Sequence, residues 1–178
     1  MKSLVEIVKE VSLSHNNESS NIKIEKAWAM ASKNTFSIPP IKKLIDEEIG
    51  TAPGTMILDP FPFESKIDCF EYFEQFKDES MVYGLIDPEY SLRQRSEHYK
   101  KNKCFLKDKT AGWHTSAGWT SAVKDEVARI IKPGGKTITF GWNSSGIGMK
   151  RGFIQTRILL VAHGGDHNDT ICTVEVKV

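Results

Sequence analysis

Residues 119–142 read WTSAVKDEVARIIKPGGKTITFGW, two periodicities set back to back. Trp119, Val123, Val127 and Ile130 recur at helical spacing, and Lys132-Pro133-Gly134-Gly135 predicts the stop, because proline offers no amide donor and glycine tolerates helix-ending conformations. Lys136 to Trp142 then runs apolar and β-rich, and Asn143 closes it with turn chemistry. A helix that feeds directly into a buried strand is the second half of a β-α-β unit, so a parallel partner strand is expected upstream.

Two such runs lie there. One spans Thr55 to Leu58 and ends at Asp59-Pro60; the other spans Met81 to Ile86 and ends at Asp87-Pro88. Between them, IDCFEYFEQF places Ile67, Phe70, Phe73 and Phe76 on one helical stripe. Strand, helix, strand, helix, strand is an α/β pattern with buried parallel strands. Downstream, GFIQTRILLVAH and TICTVEVKV flank the Gly-rich turn HGGDHND, which predicts an antiparallel pair completing the sheet. Upstream, Pro39 and Pro40 open a helix with Ile41, Leu44, Ile45 and Ile49 on one face and Gly50 as its stop. At the beginning, Leu4, Ile7, Val8 and Val11 form a short helical pattern, followed by the polar stretch SLSHNNESSN. The expected organisation is a helical arm and linker over 1–33 and one α/β domain over 34–178.

Composition narrows the function classes. With 24 basic and 23 acidic residues among 178, the net charge of +1 excludes a polybasic surface over the whole molecule while leaving room for a local basic patch. Three cysteines, at 69, 104 and 172, without a C-x-x-C pair, suggest neither a disulfide framework nor a thiolate metal site. Glu6 and Lys9 interrupt the first apolar positions, and no later window reaches the apolar length of a membrane span, so a cytoplasmic protein is expected.

In an open parallel sheet, ligands bind beyond the carboxyl ends of the strands, so the residues just after each strand are the candidates. These are Asp59-Pro60-Phe61, the segment from Asp87 through Pro88, Glu89 and Tyr90, the Gly141–Gly148 stretch, and the turn His163–Asp169. Arg93, Arg95, Lys100 and Lys101 follow the second segment and Lys150 and Arg151 the third, where cations can hold phosphates. His163 and His167, four apart beside carboxylates, admit a second reading as the centre of a metal-dependent enzyme. The preferred assignment names no metal ligand, because hairpin turns favour Gly, Asn and Asp for conformational reasons.

Taken together and in order, FSIPPIKKLI, LDPF, LIDPEYSLRQ, VKDEVARIIKPGGKTITFGWNSSGIGMKRGF and ILLVAHGGDHNDT resemble S-adenosylmethionine-dependent DNA adenine-N6 methyltransferases of the phage and mobile-element type, from about Asn34 to the last residue. The resemblance implies a reduced Rossmann-like methyltransferase fold, mostly parallel with an antiparallel terminal hairpin, and sheet order 1-4-5-7-6 in the family's strand labels. It implies that Phe36, Ser37 and Pro40 meet the methionine end of the donor and that Asp59, Pro60 and Phe61 form the loop beneath it. It also implies that Asp87, Pro88, Glu89 and Tyr90 form the catalytic segment, with Asp87 accepting from the target amine of a flipped base and Tyr90 stacking on it.

The sequence departs from that pattern in informative places. Glu89 stands where the family has a second proline, and Pro62, Phe63 and Glu64 replace a small or glycine-rich stretch. Only 28 positions separate Asp59 from Asp87, room for one helix and none for the strand whose terminal acid grips the ribose in Rossmann-like sites. These departures predict a catalytically degenerate methyltransferase-like protein that binds DNA or a protein partner, in a regulatory or phage anti-defence role. An active methyltransferase with an atypical donor site is the alternative. The N-terminal helix is the expected contact for a protein partner or a second copy.

Overall fold

A computed structural model of the chain describes residues 22–50, 56–61, 67–89 and 117–178. They build a six-stranded sheet from β1 (Lys23–Trp28), β2 (Ile57–Leu58), β3 (Met81–Ile86), β4 (Ile131–Gly141), β5 (Phe153–Ala162) and β6 (Thr170–Lys177). Among the described residues three α-helices accompany it: α1 (Pro39–Glu48), α2 (Cys69–Phe73) and α3 (Ala117–Ile130). Sheet order is β1-β5-β6-β4-β3-β2. Strand β6 is antiparallel to both neighbours and every other pairing is parallel. Five of the strands therefore reproduce the expected order, with β2, β3, β4, β6 and β5 in the five places, and the fold is a reduced Rossmann-like α/β arrangement with an antiparallel terminal hairpin.

Alternation along the strands divides the core between two faces. On one, Leu85, Ile138, Phe140, Leu159, Val161, Cys172 and Val174 pack beneath Ile41 and Leu44 of α1. On the other, Met81, Ile86, Ile131 and Phe153 pack beneath Trp119, Val123, Val127 and Ile130 of α3 and Phe73 of α2. The helical spacings legible in 41–49 and 119–130 are thus the buried stripes of α1 and α3. The Phe stripe yields only the short α2, capped where the Asp68 carboxylate accepts from the Phe70 amide at 2.9 Å.

Two elements differ from expectation. Helix α3 stops at Ile130, and Lys132–Gly135 forms an irregularity inside β4, where register jumps from Met81↔Ile131 to Tyr83↔Lys136. Gly134 takes a positive φ of 79°, and a Cβ on Gly135 would lie 2.7 Å from the Val82 carbonyl, so this bulge requires both glycines. The second difference is β1, which falls within the span expected to be arm and linker. Its Glu25 pairs with Arg157 of β5, and the same guanidinium reaches Glu47 at 2.7 Å and Glu48 at 3.1 Å on α1. Burial alone would favour the uncharged form of Arg157, but its three glutamates outweigh that and raise its pKa. The arm helix proposed for residues 3–11 lies outside the described residues. No described helix is long and apolar enough to cross a membrane.

Candidate functional site

Because all strands except β6 run the same way, the segments after β1, β2, β3 and β4 and the turn between β5 and β6 share one rim of the sheet. The rim carries two distinct groups, one on each face.

On the α1 face stand Asp59 and Asp87. Alternation places them there, since Leu58 and Ile86 point into the opposite core. Burial raises the Asp59 carboxyl to about 6, the Phe61 amide that donates to Oδ1 at 3.1 Å works against this, and the charge of Asp87 adds to it. Cys172 sits near Asp87. Its thiol is pushed up to about 12 by burial first and by Asp87 second, which makes it an inert core group rather than a nucleophile. Phe36 packs in the core of this face, its ring 5.2 Å from that of Phe140. Ser37 is engaged within its own turn, where its hydroxyl donates to the Asn34 carbonyl at 2.7 Å. Pro40 is half-buried in the first turn of α1.

Asp59 and Asp87 thus lie near each other, while the Phe36 ring packs on Phe140 and that of Phe61 goes elsewhere. The ring of Phe61 lies 5.9 Å from Trp119 and packs in the α3-face core, while Pro60 is buried. Tyr90, Arg93, Arg95, Lys100 and Lys101 lie outside the described residues, as do Pro62, Phe63 and Glu64.

On the α3 face a cleft of about 240 Å³ opens between the ends of β3 and β4, lined among others by Pro88, Glu89, Trp119, Lys124, Trp142 and Asn143. Lys124 donates to the Ser145 hydroxyl at 3.1 Å. Burial lowers its pKa and the nearby Arg151 charge lowers it further, opposed by Glu175. A half-buried ammonium in such surroundings favours an anionic ligand. Lys150 is exposed, whereas Arg151 is a structural pin: it donates to Asp125 at 2.6 Å, to the Ser121 hydroxyl at 2.7 Å and carbonyl at 3.2 Å, and to the Ile147 carbonyl at 3.3 Å. Sequence reasoning flagged the Gly141–Gly148 stretch but missed Lys124, which reads along the chain as one more lysine of a solvated helix face.

The metal reading of the β5–β6 turn fails on hydrogen bonding. His163 is buried; its Nδ1 donates to the Ala29 carbonyl at 2.8 Å, which leaves Nε2 to accept from the Thr170 hydroxyl at 2.9 Å. Both ring nitrogens are committed to protein partners, and the imidazole fastens the end of β1 to the turn. Among the described residues no group of three His, Cys, Asp or Glu has metal-binding geometry.

No known family profile matches the chain, and no curated protein matches it. Solved structures do. Two structures of a provisionally assigned DNA modification methylase from Thermus thermophilus align over 60% of this chain and 50% of theirs, with 14% identity and a TM-score of 0.38 in one and 17% and 0.36 in the other. TrmN from the same organism aligns over 82% of this chain and 52% of its own, with 13% identity and a TM-score of 0.44. The chain spans about half the length of these proteins, and the likeness is one of backbone arrangement.

Proposed function

We propose that this chain is a DNA adenine-N6 methyltransferase-like protein that has lost methyl transfer and works by binding nucleic acid. One observation carries the reading: β2 is the last strand of the sheet among the described residues. In Rossmann-like sites the ribose is held by an acid at the end of the strand beyond that one. Among the described residues β2 has only β3 beside it, and the described part of the connection between them contains the five-residue α2 and no strand. S-adenosylmethionine therefore does not fit as a whole among the described residues, where its adenosine half has no strand end to rest on. Phe61 adds to the mismatch, since it is committed to Trp119 rather than to a ligand. The cleft with Trp142 and Lys124 supports the nucleic-acid half of the proposal, offering an aromatic surface and a cation on one rim.

A second reading, an active methyltransferase with an atypical donor site, is favoured by Asp59 and Asp87 standing near each other at the ends of β2 and β3. Asp87 ends its strand where a carboxylate could accept from an exocyclic amine. The two readings separate in one experiment, in which the purified chain is titrated with fluorescent adenine-containing oligonucleotides and then incubated with them and isotopically labelled methyl donor. Binding with no label in the DNA is the expected result. Label incorporation that disappears in Asp87→Ala would overturn the proposal in favour of active catalysis, and absence of binding to any oligonucleotide would remove its nucleic-acid half.

A further inference from the structure

The α3 face of β6 carries a carboxylate that the proposed function has not used. Glu175 is fully buried, at 0% exposure, in a strand position where an apolar side chain would pack without cost. It sits in register with Thr137 on β4 and Gln155 on β5. Burial raises the pKa of its carboxyl, while hydrogen bonds from two backbone amides and the charge of Lys124 pull the other way. Those amides belong to Ile147 and Gly148, at 2.5 Å and 3.1 Å, in the loop that leaves β4.

Three further contacts show how closely the loop is fitted. Gly146 holds a positive φ of 54°, and a Cβ there would fall 2.3 Å from the Glu175 carboxyl carbon, so bare backbone lies against the carboxylate. Gln155, the cross-strand partner, donates from Nε2 to the Ser144 carbonyl at 2.6 Å. Arg151 donates to the Ile147 carbonyl at 3.3 Å. Side chains from two paired positions on adjacent strands thus grip the loop at Ser144, Ile147 and Gly148. The same loop carries Trp142, Asn143 and Ser145 to the cleft.

We propose that Glu175 is a positioning residue whose buried carboxylate, aided by Gln155, fixes the loop after β4 in the shape that presents Trp142 and Asn143 to a bound nucleic acid. The ligand part of this inference rests on the nucleic-acid reading above; the loop-fixing part does not. A carboxylate suits the task because it only accepts, and here the two N–H groups go to its two separate oxygens. Glutamine keeps one acceptor but turns a donor toward the other amide; alanine removes both.

The test uses the full chain with Glu175→Gln, Glu175→Ala and Gln155→Ala. Amide hydrogen exchange is followed at Ile147 and Gly148 and, as an internal control, at Ile138 and Val161 in the core strands. Exchange at the two loop amides should rise roughly tenfold or more in Glu175→Gln while the core amides hold their protection. Glu175→Ala should go further, and Gln155→Ala should show a smaller change centred on Ser144 and Ser145. Oligonucleotide affinity, measured where the folded fraction is complete, should fall in the same order. Should alanine fail to fold, the glutamine and Gln155 variants still decide. Unchanged exchange at Ile147 and Gly148 would overturn the loop-fixing role, and loosened amides with unchanged affinity would overturn the link to binding. If the wild type binds no oligonucleotide, the nucleic-acid reading fails and the positioning claim with it, while exchange alone still tells whether the carboxylate fixes the loop.

Discussion

At the scale of single residues, Asp59 is the most telling side chain, because its raised pKa makes a signed prediction. An acid held at about 6 in the folded chain against 3.8 when unperturbed binds its proton more tightly in the native state. It therefore costs no stability below about pH 4, and that cost grows as pH rises through the folded value of about 6. Asp59→Asn, which keeps an oxygen for the Phe61 amide, should be more stable than the wild type at pH 7.5 by on the order of 2 to 3 kcal/mol. The advantage should vanish near pH 4, as read from urea midpoints at the two pH values. An equal gain at both would mean that the carboxyl is not desolvated as described. His163 illustrates what single residues hide. Along the chain its neighbours are His167, Asp166 and Asp169, the makings of a metal site, whereas its decisive partner is the carbonyl of Ala29, 134 positions away.

At the scale of elements, the helices were legible and β1 was not, for a physical reason. Helices α1 and α3 bury continuous stripes, so their spacing shows in the sequence. Strand β1 reads KIEKAW, with Lys23, Glu25 and Lys26 interrupting the apolar residues, and Ile24 and Trp28 remain 72% and 66% exposed in the fold. Besides its ladder to β5 and the His163 bond to Ala29, a charge cluster assembled from three distant segments fastens it. Arg157 is 12% exposed at its side chain and holds Glu25, Glu47 and Glu48 together. Arg157→Met would leave Glu25, Glu47 and Glu48 to Lys23, Lys43 and Lys136 alone, and for pairs as exposed as these the loss should be at most about 1 kcal/mol for each. The loss should be local as well as global: amide exchange in β1 should accelerate ahead of that in β4 and β6. Uniform acceleration would show that β1 is not docked through this cluster. The KPGG stretch was legible as a break but misplaced, because a helix stop and a bulge at a strand's start call on the same residues; Gly135 is decided by the approach of the Val82 carbonyl, which no local pattern reveals.

At the scale of the whole molecule, the order of five strands came with the family resemblance. The division of the rim between two faces did not, because it depends on which way Asp59, Asp87 and Phe61 turn once their strands are paired. The resemblance puts Phe61 with Asp59 beneath the donor, yet its ring packs with Trp119 in the α3-face core. The proposed loss of methyl transfer rests on a sheet that ends, among the described residues, at β2, with no strand end there for the donor's adenosine. Titration calorimetry of the full chain with S-adenosylmethionine, and with its demethylated product, tests this most directly. The account predicts no saturable heat from either at micromolar concentration; a micromolar dissociation constant for either would contradict it.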